Sequence, residues 1–414
     1  MQTKGKEMLH STVLNTGSSV IYFFCQWLTT VFAVRYASFD TAGVYALAIS
    51  FTNLFYFLAL FGIRNYQISD VEGRFSESQY FAARIVTMVL AAASFLLVCL
   101  IYRLPAYTFA CYSIYMLFKM GEAYTEGYFP LLQLRNDYRT LAVSYTAKGL
   151  VSLIAFAVSL YMTADLLTAV IWMTGGYCLC ILALDLPKLI KMGMKKPVFS
   201  GCLPILKNCV PLMLVSLSTP VMNYVTRAAI EAELSNRLLG HYASLSSVIV
   251  VMSTFAGAVF VVFVPKVSKW KEEAQWSLIR RFFLYAGGAM VIVGILAMLA
   301  GHYLGPWVCA VIFGQEVLES IGLLVPLLAT SSLLMVKSFL SVMMIPLGLR
   351  WKLLGCELAG AVLCAVTALP LTRVWGMQGT NISYMLGTLL QILCLAGCVF
   401  KIVRCSGEPE KEKG

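Results

Sequence analysis

Twelve apolar runs of about 18 to 25 residues follow one another along this chain, separated by short, mostly charged stretches. A run of that length crosses a hydrocarbon layer of roughly 30 Å at ~1.5 Å per helical residue. Lipid offers the backbone no hydrogen-bond partners, so the spanning elements are expected to be helices. Charged residues make up only 12% of the chain, about half the ~25% usual for soluble domains. No soluble core could absorb this much apolar surface. The expected fold class is therefore an all-α integral membrane protein with twelve transmembrane helices.

The spans are expected near 12–36, 43–63, 80–102, 107–128, 140–162 and 165–186, then 209–231, 240–264, 282–303, 320–345, 352–373 and 380–400. The first apolar run, Thr12 to Val34, is too long for a signal-peptide core and is followed by further spans, so it reads as a retained helix. Between the two sets of six lies a basic interlude at 187–208, carrying Lys188, Lys191, Lys195, Lys196 and Lys207 and no acid. The expected organisation is an N-terminal six-helix lobe over 1–186, a basic cytoplasmic linker over 187–208, a C-terminal six-helix lobe over 209–403 and a charged tail over 404–414.

Alternate loops differ sharply in charge. The N-terminal tail (Lys4, Lys6), the stretch with Arg64, Arg74 and Arg84, the loop with Arg135 and Arg139, the linker, Lys266 to Arg281, the Arg350/Lys352 turn and the tail from Lys401 hold 23 of the 31 bases. The opposite set holds Arg35, Arg103, Arg237 and Arg373. By the positive-inside rule both termini are cytoplasmic, which requires an even number of spans. The formal charge of +11 is spread between spans rather than gathered in one patch, so it marks topology and not nucleic-acid binding. Lys188, Lys191 and Lys195 share one helical face and are expected to rest on anionic lipid headgroups.

Each half begins on the same side of the membrane, so the lobes are expected to be parallel repeats. A trace of duplication survives. Gly43-Val44-Tyr45-Ala46 opens the second span and Gly240-His241-Tyr242-Ala243 the eighth, with Ser50 and Ser247 at the same offset. One outer segment, Leu304 to Ser320, mixes aromatic and acidic residues as a surface-lying amphipathic helix would.

The enzymatic motifs GxxxxGK[ST], HExxH, GxSxG and DxD are all missing, and His10, His241 and His302 are the only histidines, so neither a cofactor nor a metal site is expected. The thirteen cysteines fall mainly inside apolar runs, as small packing residues do. What remains is a set of ionisable residues within spans: Lys119, Lys148, Arg227 and Lys337 against Glu122, Glu126, Glu231 and Glu357. An Arg, Lys or Asp near a helix centre costs about 2.5 to 3.5 kcal/mol on insertion scales, so these groups must face one another or a hydrated cavity. Tyr115, Lys119, Glu122 and Glu126 form one stripe on the fourth span, and Lys337 and Glu357 lie at matching depths on consecutive spans. Two readings stand side by side: salt bridges that only hold helices together, and a polar path through the membrane. Pro211 and Pro220, Pro326 and Pro370 are expected to kink the seventh, tenth and eleventh spans.

The chain also resembles a known family. Arg35-Tyr36, Gly43-Val44-Tyr45, Gly62-Ile63-Arg64-Asn65-Tyr66-Gln67 with Ser69-Asp70, Leu134 to Tyr138, Asn223-Tyr224 through Ile230-Glu231, Leu239-Gly240-His241-Tyr242 and Gly376-Met377-Gln378-Gly379 are similar to stretches of the polysaccharide or oligosaccharide-lipid flippases of the multidrug, oligosaccharidyl-lipid and polysaccharide exporter (MOP) superfamily. The resemblance implies two six-helix lobes in a bacterial plasma membrane around a cavity that opens alternately to each side. It implies as substrate an undecaprenyl-diphosphate-linked oligosaccharide, and a polysaccharide polymerase as a partner. A diphosphate needs cations inside the membrane, here Lys119, Lys148, Arg227 and Lys337, with Arg35 and Arg64 at span ends; Glu122, Glu126, Glu231 and Glu357 would balance charge or couple to an ion gradient. Two alternatives stay open: a cation-coupled drug antiporter of the same superfamily and a membrane glycan polymerase or transferase. The first three spans carry no carboxylate between Thr12 and Tyr36, Gly43 and Ile63, or Tyr80 and Tyr102, which weighs against the antiporter.

Overall fold

The computed structural model describes residues 2–70, 73–193, 196–261 and 263–405, with side chains from 14 onward except 15, 69, 248–259, 261 and 403–405. The side chains of Lys4, Lys6, His10 and Lys195, and the tail from Ser406, lie outside the described residues. The described backbone is helical almost throughout. It comprises α1 (Gln2–Tyr36), α2 (Phe39–Leu60), α3 (Ile63–Ser69), α4 (Glu77–Tyr102), α5 (Ala106–Leu134), α6 (Tyr138–Thr163) and α7 (Leu166–Cys180), then a π-helical turn (Ile181–Asp185) and α8 (Leu186–Lys191). The second part runs through α9 (Cys202–Glu233), α10 (Asn236–Val261), α11 (Val264–Glu272), α12 (Trp276–Tyr303), α13 (Gly305–Phe313), a 3-10 helix (Gln315–Leu323), α14 (Leu324–Met344) and α15 (Arg350–Cys405). Gly376, at φ 57°, breaks α15 into two helices.

Among the described residues, nine helical segments are long and apolar enough to cross a membrane, the last of them containing both parts of α15. The helix α5 carries Lys119, Glu122 and Glu126, the polar stripe expected from its sequence. The molecule is a multi-pass membrane protein.

Helix ends are set by local chemistry. Ser38 accepts from the Thr41 amide, Ser76 forms a reciprocal capping box with Gln79, and Asp137 and Asp165 accept from the amides of Thr140 and Thr168. Burial pushes the carboxyls of Asp70, Asp137 and Asp165 up, but the hydrogen bonds they accept outweigh it and hold each below the usual carboxylate range. Between α2 and α3 the chain turns through Phe61 and Gly62, both left-handed. Gly62 has φ 69°, and a Cβ there would lie 2.9 Å from the Leu212 Cβ. Gly62→Ala is expected to cost roughly 1–2 kcal/mol for the left-handed backbone and a further ~1–3 for overpacking. Thermal unfolding in detergent reads this directly, and a wild-type midpoint would contradict it.

The chain divides into two compact units, Met1–Pro220 and Val221–Gly414. The division falls inside α9 rather than at the basic linker, because the first half of α9 packs on the first unit. Cys202, Ile205 and Cys209 join a buried cluster with Phe61, Ile63, Tyr80, Ala82 and Ala83. Gln79 Nε2 donates to the Ser200 carbonyl at 2.7 Å and Asn208 Nδ2 to the Tyr66 hydroxyl at 2.9 Å.

In the first unit α6 packs between α1 and α7, while α2 lies against α4 and α5. In the second, α14 is central, contacting α10, α12 and α15. The repeat trace has a structural counterpart. Gly43 and Gly240 are each the fifth residue of their helix, Tyr45 and Tyr242 are both buried, and Ser50 and Ser247 both bond back to their own helix.

Two sequence expectations change here. Pro326 sits in the first turn of α14, where a proline's missing N–H costs little, so it is no mid-helix kink; Pro211, Pro220 and Pro370 are inside helices, as is Pro130 of α5. Arg84, grouped with the basic loop, lies within α4 and is fully buried. The segment from Leu304 forms two short helices; Gly305, Cys309 and Phe313 make the buried stripe of α13, while Trp307 is exposed and Glu316 and Glu319 approach Arg237 at 3.5 and 3.6 Å.

Candidate functional site

The first unit gathers its ionisable groups into one buried network centred on α5. Lys119 Nζ donates to Glu122 Oε2 at 2.7 Å, one helical turn away, and lies 5.1 and 5.5 Å from the ring centres of Tyr56 and Tyr115. The other oxygen of Glu122 accepts from the Tyr22 hydroxyl of α1. A turn further on, Glu126 accepts from Arg64 of α3 at 2.5 Å and from the Tyr145 hydroxyl of α6 at 2.7 Å. The stripe predicted on α5 is thus clamped from three neighbouring helices.

Lys148 of α6 is fully buried. Its ammonium pairs with Asp185 and donates to Thr125 at 3.0 Å and to the Tyr128 hydroxyl at 3.1 Å. Asp185 accepts in addition from the Tyr128 hydroxyl and from Ser144 at 2.7 Å. Asp185 was missed from sequence: it stands at the end of the sixth span just before Leu186-Pro187-Lys188, where an acid reads as the start of a loop. The extra residue per turn in Ile181–Asp185 changes the angular register of the helix, and the carboxylate at its end faces inward.

Arg84 is the second group missed. Its Nη1 donates to the Ala59 carbonyl at 2.7 Å, while its Nε has no partner among the described residues. Gly127, adjacent to Glu126, makes room for it; a Cβ there would stand 3.1 Å from the Arg84 Cγ. Among the described residues no carboxylate lies within ion-pair distance of Arg84. Four cations (Arg64, Arg84, Lys119, Lys148) therefore face three carboxylates (Glu122, Glu126, Asp185) inside this unit.

The second unit is sparser. Lys337 and Glu357 pair at 2.9 Å, both buried, as their matching depths suggested. Ser341 donates to Glu357 at 2.8 Å. Arg227 is half-buried, whereas Glu231, four residues on, is exposed. Arg35 is exposed in the last turn of α1. Among the described residues no group of three or more His, Cys, Asp and Glu side chains is placed to hold a metal.

This arrangement of helices is similar to that in solved structures of MOP-superfamily transporters. A mutant of the Vibrio cholerae MATE transporter VcmN superposes with a TM-score of 0.64 over 98% of both chains at 13% identity. An inward-facing multidrug-resistance MATE transporter of the MOP superfamily gives 0.70 over 96% of both chains at 10% identity. A Pyrococcus furiosus MOP-superfamily transporter, described as having a binding pocket of reverse polarity that suggests a different function, gives 0.61 over 96% of both at 12% identity. In sequence, the chain is 21% identical over 311 residues to the capsular polysaccharide biosynthesis protein CapF of Staphylococcus aureus, covering 72% of this chain and 76% of that protein. No protein-family profile matches. The resemblance to the superfamily therefore holds at the level of fold.

Proposed function

We propose that the protein is a flippase that carries an undecaprenyl-diphosphate-linked oligosaccharide across a bacterial plasma membrane by alternating access, with twelve crossings and both termini cytoplasmic. The observation that carries this proposal is the sign of the buried charge. An organic-cation antiporter needs surplus carboxylate in its membrane interior, but the α5 network has a surplus guanidinium. A diphosphate is the complementary ligand, and arginine presents planar paired donors to phosphate oxygens. The tyrosines around Lys119 offer ring faces and hydroxyls suited to sugars. Arg64 and Lys119 carry the field with Arg84; Arg227, Lys337 and Arg35 are the further candidate cations, Lys148 being held by Asp185, Thr125 and Tyr128, and Glu122, Glu126, Glu231 and Glu357 balance them or couple to an ion. The relatives lend support from two sides, a capsule-biosynthesis protein in sequence and a transporter of reversed pocket polarity in fold.

The multidrug MATE fold favours cation antiport as the second reading, with the Tyr22–Glu122 contact as its proton or cation site. Reconstitution separates the two. Proteoliposomes are expected to expose a fluorescent undecaprenyl-diphosphate oligosaccharide on the opposite leaflet and to accumulate no organic cation under a proton or sodium gradient. Gradient-driven cation export without lipid movement would replace the flippase by the antiporter.

A further inference from the structure

The sequence places Lys188 on a headgroup-facing helix, but the structure makes it one wall of a pocket. This pocket, of about 220 Å³, lies between the first turns of α6 and the π turn with α8, and is lined by Arg139, Thr140, Val143, Ser144, Leu184, Asp185 and Lys188. That is room for a phosphate and a small alcohol.

The charge balance of the pocket is positive. Asp185 is neutralised from behind by Lys148, with its oxygens further engaged by Tyr128 and Ser144. Asp137 is matched by Lys188 at 2.9 Å. Arg139 makes no ion pair among the described residues and is exposed, so one cation at the rim is uncompensated. The other side of the opening is apolar. Val143 and Leu184 are 54% and 39% exposed. In a membrane protein such side chains face acyl chains. A cation beside an apolar groove has the form of a phospholipid site.

We propose that this pocket binds the headgroup of a glycerophospholipid bearing one anionic phosphodiester. The phosphate takes Arg139 and the outer hydrogens of Lys188, the glycerol enters beside Thr140 and Ser144, and an acyl chain runs along Val143 and Leu184. One negative charge matches the single surplus positive charge. The occupant is a resident bilayer lipid, separate from the transported diphosphate.

The test is lipid titration of the purified full-length protein, by native mass spectrometry in detergent, with phosphatidylglycerol, phosphatidylcholine and free glycerol 1-phosphate as probes. Wild type is expected to prefer phosphatidylglycerol at least tenfold over phosphatidylcholine and to hold free glycerol 1-phosphate far more weakly. Arg139→Gln is expected to weaken phosphatidylglycerol binding about fivefold, the worth of one interfacial base. Val143→Trp, which fills the pocket without changing charge, is expected to weaken it at least as much. Arg350→Gln, an exposed base in the second unit, is expected to leave it unchanged. Equal affinity for the two lipids, wild-type binding by Val143→Trp, an equal loss in Arg350→Gln, or equally tight binding of glycerol 1-phosphate would each overturn the proposal.

Discussion

Lys148→Met is expected to cost about 3–5 kcal/mol of stability, because it leaves Asp185 charged and buried with only hydroxyl partners. Asp185→Asn is expected to cost a similar amount by stranding the ammonium. The double variant should recover most of the loss: the asparagine amide can accept from one of the Tyr128 and Ser144 hydroxyls and donate to the other, and methionine fills the volume of the lysine stem. A double-mutant cycle on detergent unfolding curves gives the coupling, and additive losses would show that the two groups do not act as a pair. The geometry also predicts the functional result. Lys148 is saturated by its ion pair with Asp185 and its hydrogen bonds to Thr125 and Tyr128, so it serves as a lock between α5, α6 and the π turn. Lipid-linked oligosaccharide translocation by the double variant should stay within a few-fold of wild type. A folded but inactive double variant would return Lys148 to the substrate path.

The helices were legible in the sequence because each depends on a local property, apolar length bounded by caps and charges. The polar stripe on α5 was legible for the same reason, since Tyr115, Lys119, Glu122 and Glu126 declare a common face by spacing alone. Partners were less so. Arg64 meets Glu126 across 62 residues of chain, and no periodicity encodes which of several carboxylates at similar depth a cation will choose. Lys337 and Glu357 were easier, because consecutive spans fix relative depth.

The two omissions have separate causes. Asp185 stands where a regular helix would end, and its inward aim depends on one π turn that leaves no compositional mark. Arg84 follows Tyr80-Phe81-Ala82-Ala83 closely enough to the span start to count as an interfacial base. Its burial depends on tertiary facts: the cleft opposite Gly127 and the carbonyl of Ala59 at the end of α2.

Arg84→Met is expected to separate function from stability in the opposite way to Lys148. The Ala59 carbonyl that Arg84 engages also accepts from the Thr87 hydroxyl at 2.7 Å, so truncation leaves no backbone acceptor stranded. Methionine keeps much of the apolar stem beside Gly127, and it removes a buried charge for which no carboxylate partner exists among the described residues. Burying such a charge is unfavourable, so the variant should melt at or above the wild-type temperature. A hydrogen bond to a charged group is worth roughly 1.5–3 kcal/mol, so losing a phosphate contact should slow translocation by about 10- to 100-fold. A group kept at a cost to stability and required for transport is what an anion-binding charge must be. If Arg84→Met instead melts early and transports normally once folded, the guanidinium is a structural strut. The surplus positive charge would then no longer argue for an anionic substrate.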